Sequence, residues 1–340
     1  MNGISRDDGK ATNRTGLVDG FGRAIRYLRV GVTDRCDLRC TYCMPKGFKG
    51  FEEPADWLTF EELERVVGAF ARLGVSRVRL TGGEPLLRRN LSALASRISR
   101  LPGIDDLSLT TNGTTLTKHA QALRDAGVGR LNISLDSLSK ACVTAITGRE
   151  DAFERVMHGL DAAQAAGFAP IKINMVVMPG VNDAEIADMV AFCMARGFVL
   201  RLIETMPVGQ AARQVGTLPL TQILEGLKQQ FGLVPEIVPM GGGPARYWRQ
   251  AHGHGQIGVI TPISQHFCET CNRVRLDVTG TLYLCLGQED TVQLRPLLRA
   301  GISDSALEEV IIDAVARKPW RHEFSDKPEK IVRFMSQIGG

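Results

Sequence analysis

The stretch Leu28-Arg-Val-Gly-Val-Thr-Asp-Arg-Cys36-Asp-Leu-Arg-Cys40-Thr-Tyr-Cys43 joins a short apolar run to three cysteines at spacings of four and three. Leu28–Val32 reads as a β-strand, so the thiols sit on the loop that follows it. Three thiolates on one short loop can cap three corners of a cubane iron-sulfur cluster and leave its fourth iron open. In a chain of 340 residues with eight cysteines, this spacing would arise by chance with a probability of about 0.004. A structural zinc loop is the alternative, but zinc asks for four ligands in a closed tetrahedron, and no fourth Cys or His lies close by in the sequence.

Working outward, short β-branched or apolar runs alternate with amphipathic segments about a dozen residues long, as in repeated βα units around a parallel sheet. Six strands are expected: 28–32, 77–80, 107–110, 131–135, 171–177 and 199–203. Helical periodicity covers 60–73, 91–100, 118–126, 152–166 and 184–196, often ending at a glycine such as Gly74 or Gly197. Periodicity alone fits either a doubly wound sheet or an incomplete barrel. Beyond Met206-Pro207 the connections turn Gly- and Pro-rich, and a final helix is expected near 305–316. The expected division is a mobile segment 1–24, a core 25–215 and a smaller C-terminal region 216–340, with the last few residues mobile unless a site holds them.

Composition narrows the class. With 44% hydrophobic residues and a mean hydropathy of −0.03, the chain can bury a large core. It has no run of eighteen apolar residues, and its first two dozen residues lack the apolar stretch of a signal peptide, so a cytoplasmic protein without a membrane partner is expected. The balance of 41 basic against 37 acidic residues is too even to imply a nucleic-acid-binding face. Six of the eight cysteines fall into two groups, so ligation is preferred to disulfides. Cys142 and Cys193 lie outside both and read as buried helical residues.

The second group is Cys268 and Cys271, with Cys285 further along after thirteen intervening residues. Zinc competes well here, because His252, His254 and His266 are near and a Cys3His site is common. Thr81-Gly82-Gly83-Glu84-Pro85 follows the second strand; its glycines let a backbone approach a ligand and its carboxylate can accept from an ammonium, although such a turn is usually only a turn. Arg29, Arg77, Arg79, Lys172 and Arg201 fall in or at the ends of strands, where burial without a partner would be costly. They suit an anionic small substrate. Taken singly, each could instead reach solvent or pair with Glu84 or Glu204.

The spacing C-x3-C-x2-C with Tyr42 before the last cysteine resembles the signature of the radical S-adenosylmethionine superfamily. Cys268-x2-Cys271-Asn272-Arg273-x-Arg275, then Gly280 and Cys285-Leu286, is similar to the GTP 3',8-cyclase family, and the resemblance runs over about residues 20–340. It implies a partial (β/α)6 barrel of the TIM-like type closed by the C-terminal region. It implies two [4Fe-4S] clusters, one on Cys36, Cys40 and Cys43 and one on Cys268, Cys271 and Cys285. S-adenosylmethionine would meet Tyr42, Gly82, Gly83, Glu84, Ser134 and Met206. GTP would meet Arg29, Arg79, Thr110, Lys172, Arg201, Arg273 and Arg275.

In that family a 5'-deoxyadenosyl radical takes hydrogen from C3' of GTP and the ribose carbon closes onto C8 of guanine. The product is (8S)-3',8-cyclo-7,8-dihydroguanosine 5'-triphosphate, in the first step of molybdenum-cofactor biosynthesis. Catalytic roles would fall to Arg29, Arg273, Arg275, Gly339 and Gly340, the terminal glycines reaching the active site. Implied partners are an electron donor such as flavodoxin or ferredoxin, a downstream cyclic pyranopterin monophosphate synthase, and a second copy in a homodimer. Arg77, where the family often carries Lys, and Asp277-Val278-Thr279-Gly280 depart from the pattern. A peptide-modifying radical enzyme would share the first loop, but three plus three cysteines are fewer than such enzymes usually carry.

Overall fold

The computed structural model describes residues 16–44, 47–236, 242–331 and 333–339. Six parallel strands run in chain order: β1 Tyr27–Gly31, β2 Arg77–Thr81, β3 Asp106–Thr111, β4 Arg130–Ser134, β5 Ile171–Val177 and β6 Val199–Glu204. Helices Phe60–Arg72, Leu91–Ser99, Ala120–Asp125, Ala152–Ala165 and Ile186–Arg196 cross over between them. The ends differ from expectation by a residue or two, with 3-10 turns at Leu116–Lys118 and Asp183–Glu185 leading into the third and fifth of these helices.

Alternation along the strands separates two faces. Leu28, Val30, Val78, Leu80, Leu109, Leu131, Ile133 and Ile173 point outward under the helices and are fully buried, each worth about 2 kcal/mol by removal from water. The first helix starts sharply because Thr59 accepts from the Glu62 amide at 3.1 Å while Glu62 accepts from Thr59 at 2.8 Å. The opposite face carries Tyr27, Arg29, Arg79, Ser108, Asn132, Lys172, Asn174 and Arg201. A closed barrel would fill that interior with branched apolar layers; here it is polar and made for a ligand.

The C-terminal region does not form a separate sheet. Strands β7 Leu233–Glu236, β8 Arg246–Gln250, β9 Gln256–Ile260, β10 Arg273–Leu276, β11 Thr281–Tyr283 and β12 Thr291–Gln293 extend the core, in the order β12-β11-β10-β1-β2-β3-β4-β5-β6-β9-β8-β7. β10 lies parallel to β1, and β9 parallel to β6, so residues beyond 216 guard both edges of an open, barrel-like sheet.

Residues 16–24, expected to be mobile, are instead pinned. Leu17 donates to the Leu73 carbonyl at 2.8 Å, Val18 bridges Ala24, and Asp19 and Arg23 are buried. Residues 333–339 are also packed, with Ser336 and Ile338 buried. Among the described residues no helix is long and apolar enough to cross a membrane.

Candidate active site

Two cavities open from the polar face. The first, about 190 Å³, is lined by Cys36, Cys40, Cys43, Tyr42, Gly82, Gly83, Thr110, Ser134 and Asp136. The second, about 150 Å³, is lined by Cys268, Cys271 and Cys285 with Arg29, Arg79, Arg201, Arg273 and Arg275. Asn174, Ile203 and Met206 belong to both walls, so the cavities meet there.

Asp37 fixes the first cysteine loop by accepting from Asn112 Nδ2 at 2.8 Å, Thr114 Oγ1 at 2.7 Å and Arg149 at 3.0 Å. Burial, followed by the Glu84 carboxylate, raises the Cys36 thiol to about 12. Burial also raises Cys43 to about 12 and Cys40 well above its ordinary value. A metal's charge is what such sulfurs need to become thiolates. The Leu38 amide already donates to Cys36 Sγ at 3.4 Å, as a cluster thiolate would accept. Among the described residues no three such side chains converge closely enough to share one ion.

The Gly82-Gly83-Glu84 loop differs from its sequence reading in one respect. A Cβ on Gly82 would stand 2.2 Å from the Thr33 carbonyl oxygen, and one on Gly83 would stand 2.2 Å from that of Arg35. The glycines therefore admit the cysteine loop's own backbone, and Gly83 and Glu84 donate to those same carbonyls at 2.8 and 2.7 Å. Glu84 does not line the cavity. Its carboxylate accepts from Thr111 Oγ1 at 2.7 Å, the Asn112 amide at 2.6 Å and the Leu86 amide at 3.0 Å, and burial lifts it to about 7. It fastens the end of β3 to the loop that grips the cysteine loop, through residues 27 and 28 apart in sequence that no local pattern links.

Ser134 lines the first cavity, Met206 lines both, and Thr110 lies in the first and not in the second. Thr110 Oγ1 is buried without a hydrogen-bond partner, which leaves a polar atom for a ligand. Tyr42 donates to Asp136 at 2.8 Å, and Asp136 accepts from the Val176 amide at 2.8 Å while burial lifts it to about 6. Asp136 and Asn174 were not anticipated. Period-two alternation with Lys172 would have found Asn174.

The second cavity is cationic. Burial, then Arg275 and Arg79, holds Arg29 well below the ordinary arginine value, and burial with Arg273 and Arg333 brings Arg275 to about 9. Arg201 donates to Asn174 at 2.8 Å and also to Asn132. Lys172 lines neither cavity; its ammonium donates to Tyr247 at 3.2 Å. Burial raises the Cys271 thiol, but Arg273 and Lys318 outweigh it and bring the group to about 6. Arg275 donates to the carbonyl of Gly339, whose φ is +72° and whose Cβ, if present, would meet Thr81 Cγ2 at 2.2 Å. Gly340 lies outside the described residues. Cys193 is buried, whereas Cys142 is half-exposed and donates to the Val181 carbonyl at 3.5 Å.

Comparison with known proteins gives consistent matches. Residues 30–193 match the family model described as the radical SAM superfamily, and residues 198–324 match that described as Molybdenum Cofactor Synthesis C. The chain is 48% identical over 332 residues to the GTP 3',8-cyclase of Rhizobium etli, covering 95% of this chain and 94% of that one. It is 44% identical over 330 residues to the GTP 3',8-cyclase of Hydrogenovibrio crunogenus, covering 95% and 99%. In fold it is similar to Streptococcus suis SuiB bound to S-adenosylmethionine, with a TM-score of 0.59 over 85% of this chain and 68% of that one; at 15% identity the likeness concerns the fold alone.

Proposed function

The chain belongs to the GTP 3',8-cyclase family of radical S-adenosylmethionine enzymes, and from that premise we propose how its residues carry the reaction. The reaction converts GTP to (8S)-3',8-cyclo-7,8-dihydroguanosine 5'-triphosphate, opening molybdenum-cofactor biosynthesis. A [4Fe-4S] cluster on Cys36, Cys40 and Cys43, when bound together with S-adenosylmethionine, supplies the electron and the 5'-deoxyadenosyl radical that start the chemistry.

The observation that carries the assignment is the meeting of the two cavities at Asn174, Ile203 and Met206. In this reading Ser134, Thr110, Tyr42 and Gly82–Gly83 shape the S-adenosylmethionine side, and Met206 stands at the junction. Arg29, Arg79 and Arg201 take the triphosphate, with Lys172 adding charge from behind the wall. The ribose then lies at the junction, where C3' is within reach of the first cavity, and the guanine extends towards Arg273 and Arg275. Those arginines, together with the Gly339 carbonyl that Arg275 holds, orient the base as charge shifts during ring closure.

We assign a second [4Fe-4S] cluster to Cys268, Cys271 and Cys285. Its support is that the three cysteines line one cavity and that Arg273 and Lys318 bring the Cys271 thiol down to about 6. The reading also includes an electron donor of the flavodoxin or ferredoxin kind, delivery of product to a cyclic pyranopterin monophosphate synthase, and a homodimer in the cytoplasm.

Anaerobic reconstitution with iron and sulfide, then addition of dithionite, S-adenosylmethionine and GTP, tests the assignment. About eight irons per chain, 5'-deoxyadenosine and a GTP-dependent cyclised nucleotide by mass are expected. About four irons with one zinc would make the second cysteine site structural. Two clusters without a cyclised product would remove GTP from the second cavity.

A further inference from the structure

Arg23 is buried ahead of β1, in a segment that no expected role includes. Its side chain uses four N–H bonds. Nε donates to Asp19 at 2.6 Å, Nη1 to the carbonyls of Cys268 and Trp320, each at 2.8 Å, and Nη2 to the carbonyl of Pro319 at 2.7 Å. Asp19 also accepts from the backbone amides of Phe21 at 2.9 Å and Arg23 at 3.0 Å, so it closes its own turn and aims the guanidinium. The rings of Phe21 and Trp320 lie 5.3 and 5.5 Å from the guanidinium carbon.

These partners flank the second cysteine site on two sides. Cys268 begins the turn that leads to Cys271. Pro319 and Trp320 directly follow Lys318, whose buried ammonium donates to the carbonyl of Leu284, the neighbour of Cys285. One guanidinium thus ties the Cys268 turn to the segment whose lysine ties the Cys285 end. Three sulfurs that arrive from two separate stretches hold a cluster more readily when the surrounding chain sets their spacing. The planar fork suits this work, since it can address several carbonyls at set angles, which a lysine ammonium cannot do.

We propose that Arg23, oriented by Asp19, is a positioning residue for the second cluster site: it sets the distance of Cys268 from Cys285 through the Lys318-Pro319-Trp320 segment. The proposal rests on the reading of Cys268, Cys271 and Cys285 as a [4Fe-4S] site. The test compares the unaltered chain with R23K and R23Q after anaerobic reconstitution, reading iron per chain and the electron paramagnetic resonance spectrum of the reduced protein.

The unaltered chain should hold about eight irons, and both variants about four. The signal that remains in the variants should be the one that S-adenosylmethionine perturbs, and the other should be lost. R23K keeps the charge without the fork, so it decides even where R23Q does not fold. Eight irons and an unchanged spectrum in R23K overturn this inference alone. Loss of both clusters, or of the fold, in R23K also overturns it, by making Arg23 a general scaffold residue. About four irons in the unaltered chain overturn the second-cluster reading and this inference with it.

Discussion

Arg29 on β1 and Arg275 on β10 are direct partners across a parallel pair, with Arg79 the partner of Arg29 on its other side. Three guanidiniums therefore stand abreast at one level of the sheet. Burial and mutual repulsion act against the charge on Arg29, and an anion in the cavity would relieve both. Arg29→Gln should then weaken GTP binding by roughly 10- to 100-fold, the loss of one charge-assisted hydrogen bond. The same change should leave the Tm of the ligand-free chain level or higher. Equilibrium dialysis beside thermal melts checks this, and a large fall in Tm with unchanged binding would make Arg29 a structural residue.

Lys172 gives a pH dependence of definite sign. Burial, then Arg201, Arg130 and Arg79, lowers its ammonium from 10.5 to about 7. Between those values the unfolded chain keeps a proton that the folded, empty chain has released, so the empty protein gains stability as pH rises from about 7 towards 10. A triphosphate favours the charged form and reverses the preference. Binding at pH 8 should therefore take up close to one proton, and affinity should fall as pH rises above 7. Calorimetry in two buffers of different ionisation enthalpy measures the uptake, which Lys172→Met should abolish.

The core was legible because its strands alternate. Leu28 and Val30 against Arg29, or Ile171 and Ile173 against Lys172, announce both the strand and its two faces. The attachment of β10 beside β1 and β9 beside β6 joins residues more than fifty apart, and no local period encodes it. The cysteine groups and the cationic residues were legible as chemistry, yet what each loop touches was not. Glu84 is spent on Thr111 and Asn112, and Arg23 lies in a segment whose polar composition suggested mobility. Both depend on partners supplied by tertiary structure.

Cysteine reactivity in the metal-free chain should single out Cys271, because burial raises its neighbours Cys268 and Cys285 as it does the first group. Cys271, brought to about 6, is mostly thiolate at pH 7, whereas Cys36 and Cys43, at about 12, are almost wholly neutral. Limited anaerobic treatment with iodoacetamide at pH 7, followed by peptide mass mapping, should label Cys271 first. Arg273 Nη2 donates to Cys271 Sγ at 3.8 Å, so Arg273→Gln, by raising the thiol roughly one unit, should cut the thiolate present at pH 7 and slow that labelling by about twofold. Uniform labelling of all the cysteines would show that charge does not set Cys271 apart.

Gly83 and Gly226 should respond to alanine in opposite directions. At Gly83 the added carbon would meet the Arg35 carbonyl oxygen at 2.2 Å and its carbon at 2.7 Å, both backbone atoms that cannot swing aside. Arg35 is itself held, since its amide donates to Thr33 Oγ1 at 3.1 Å and its carbonyl accepts from Glu84 at 2.7 Å. Relief requires the cysteine loop to move, so Gly83→Ala should cost about 3 kcal/mol and lower iron at the first site. Gly226 lies in helix Leu220–Phe231 with nothing within 4 Å of an added carbon, and Gly226→Ala should stabilise by about 1 kcal/mol. Urea unfolding of the metal-free chain gives both signs, and iron counts after reconstitution add the site readout. If Gly83→Ala kept its stability and its iron but lost S-adenosylmethionine binding, the glycine would serve the approach of a ligand instead of the approach of the cysteine loop.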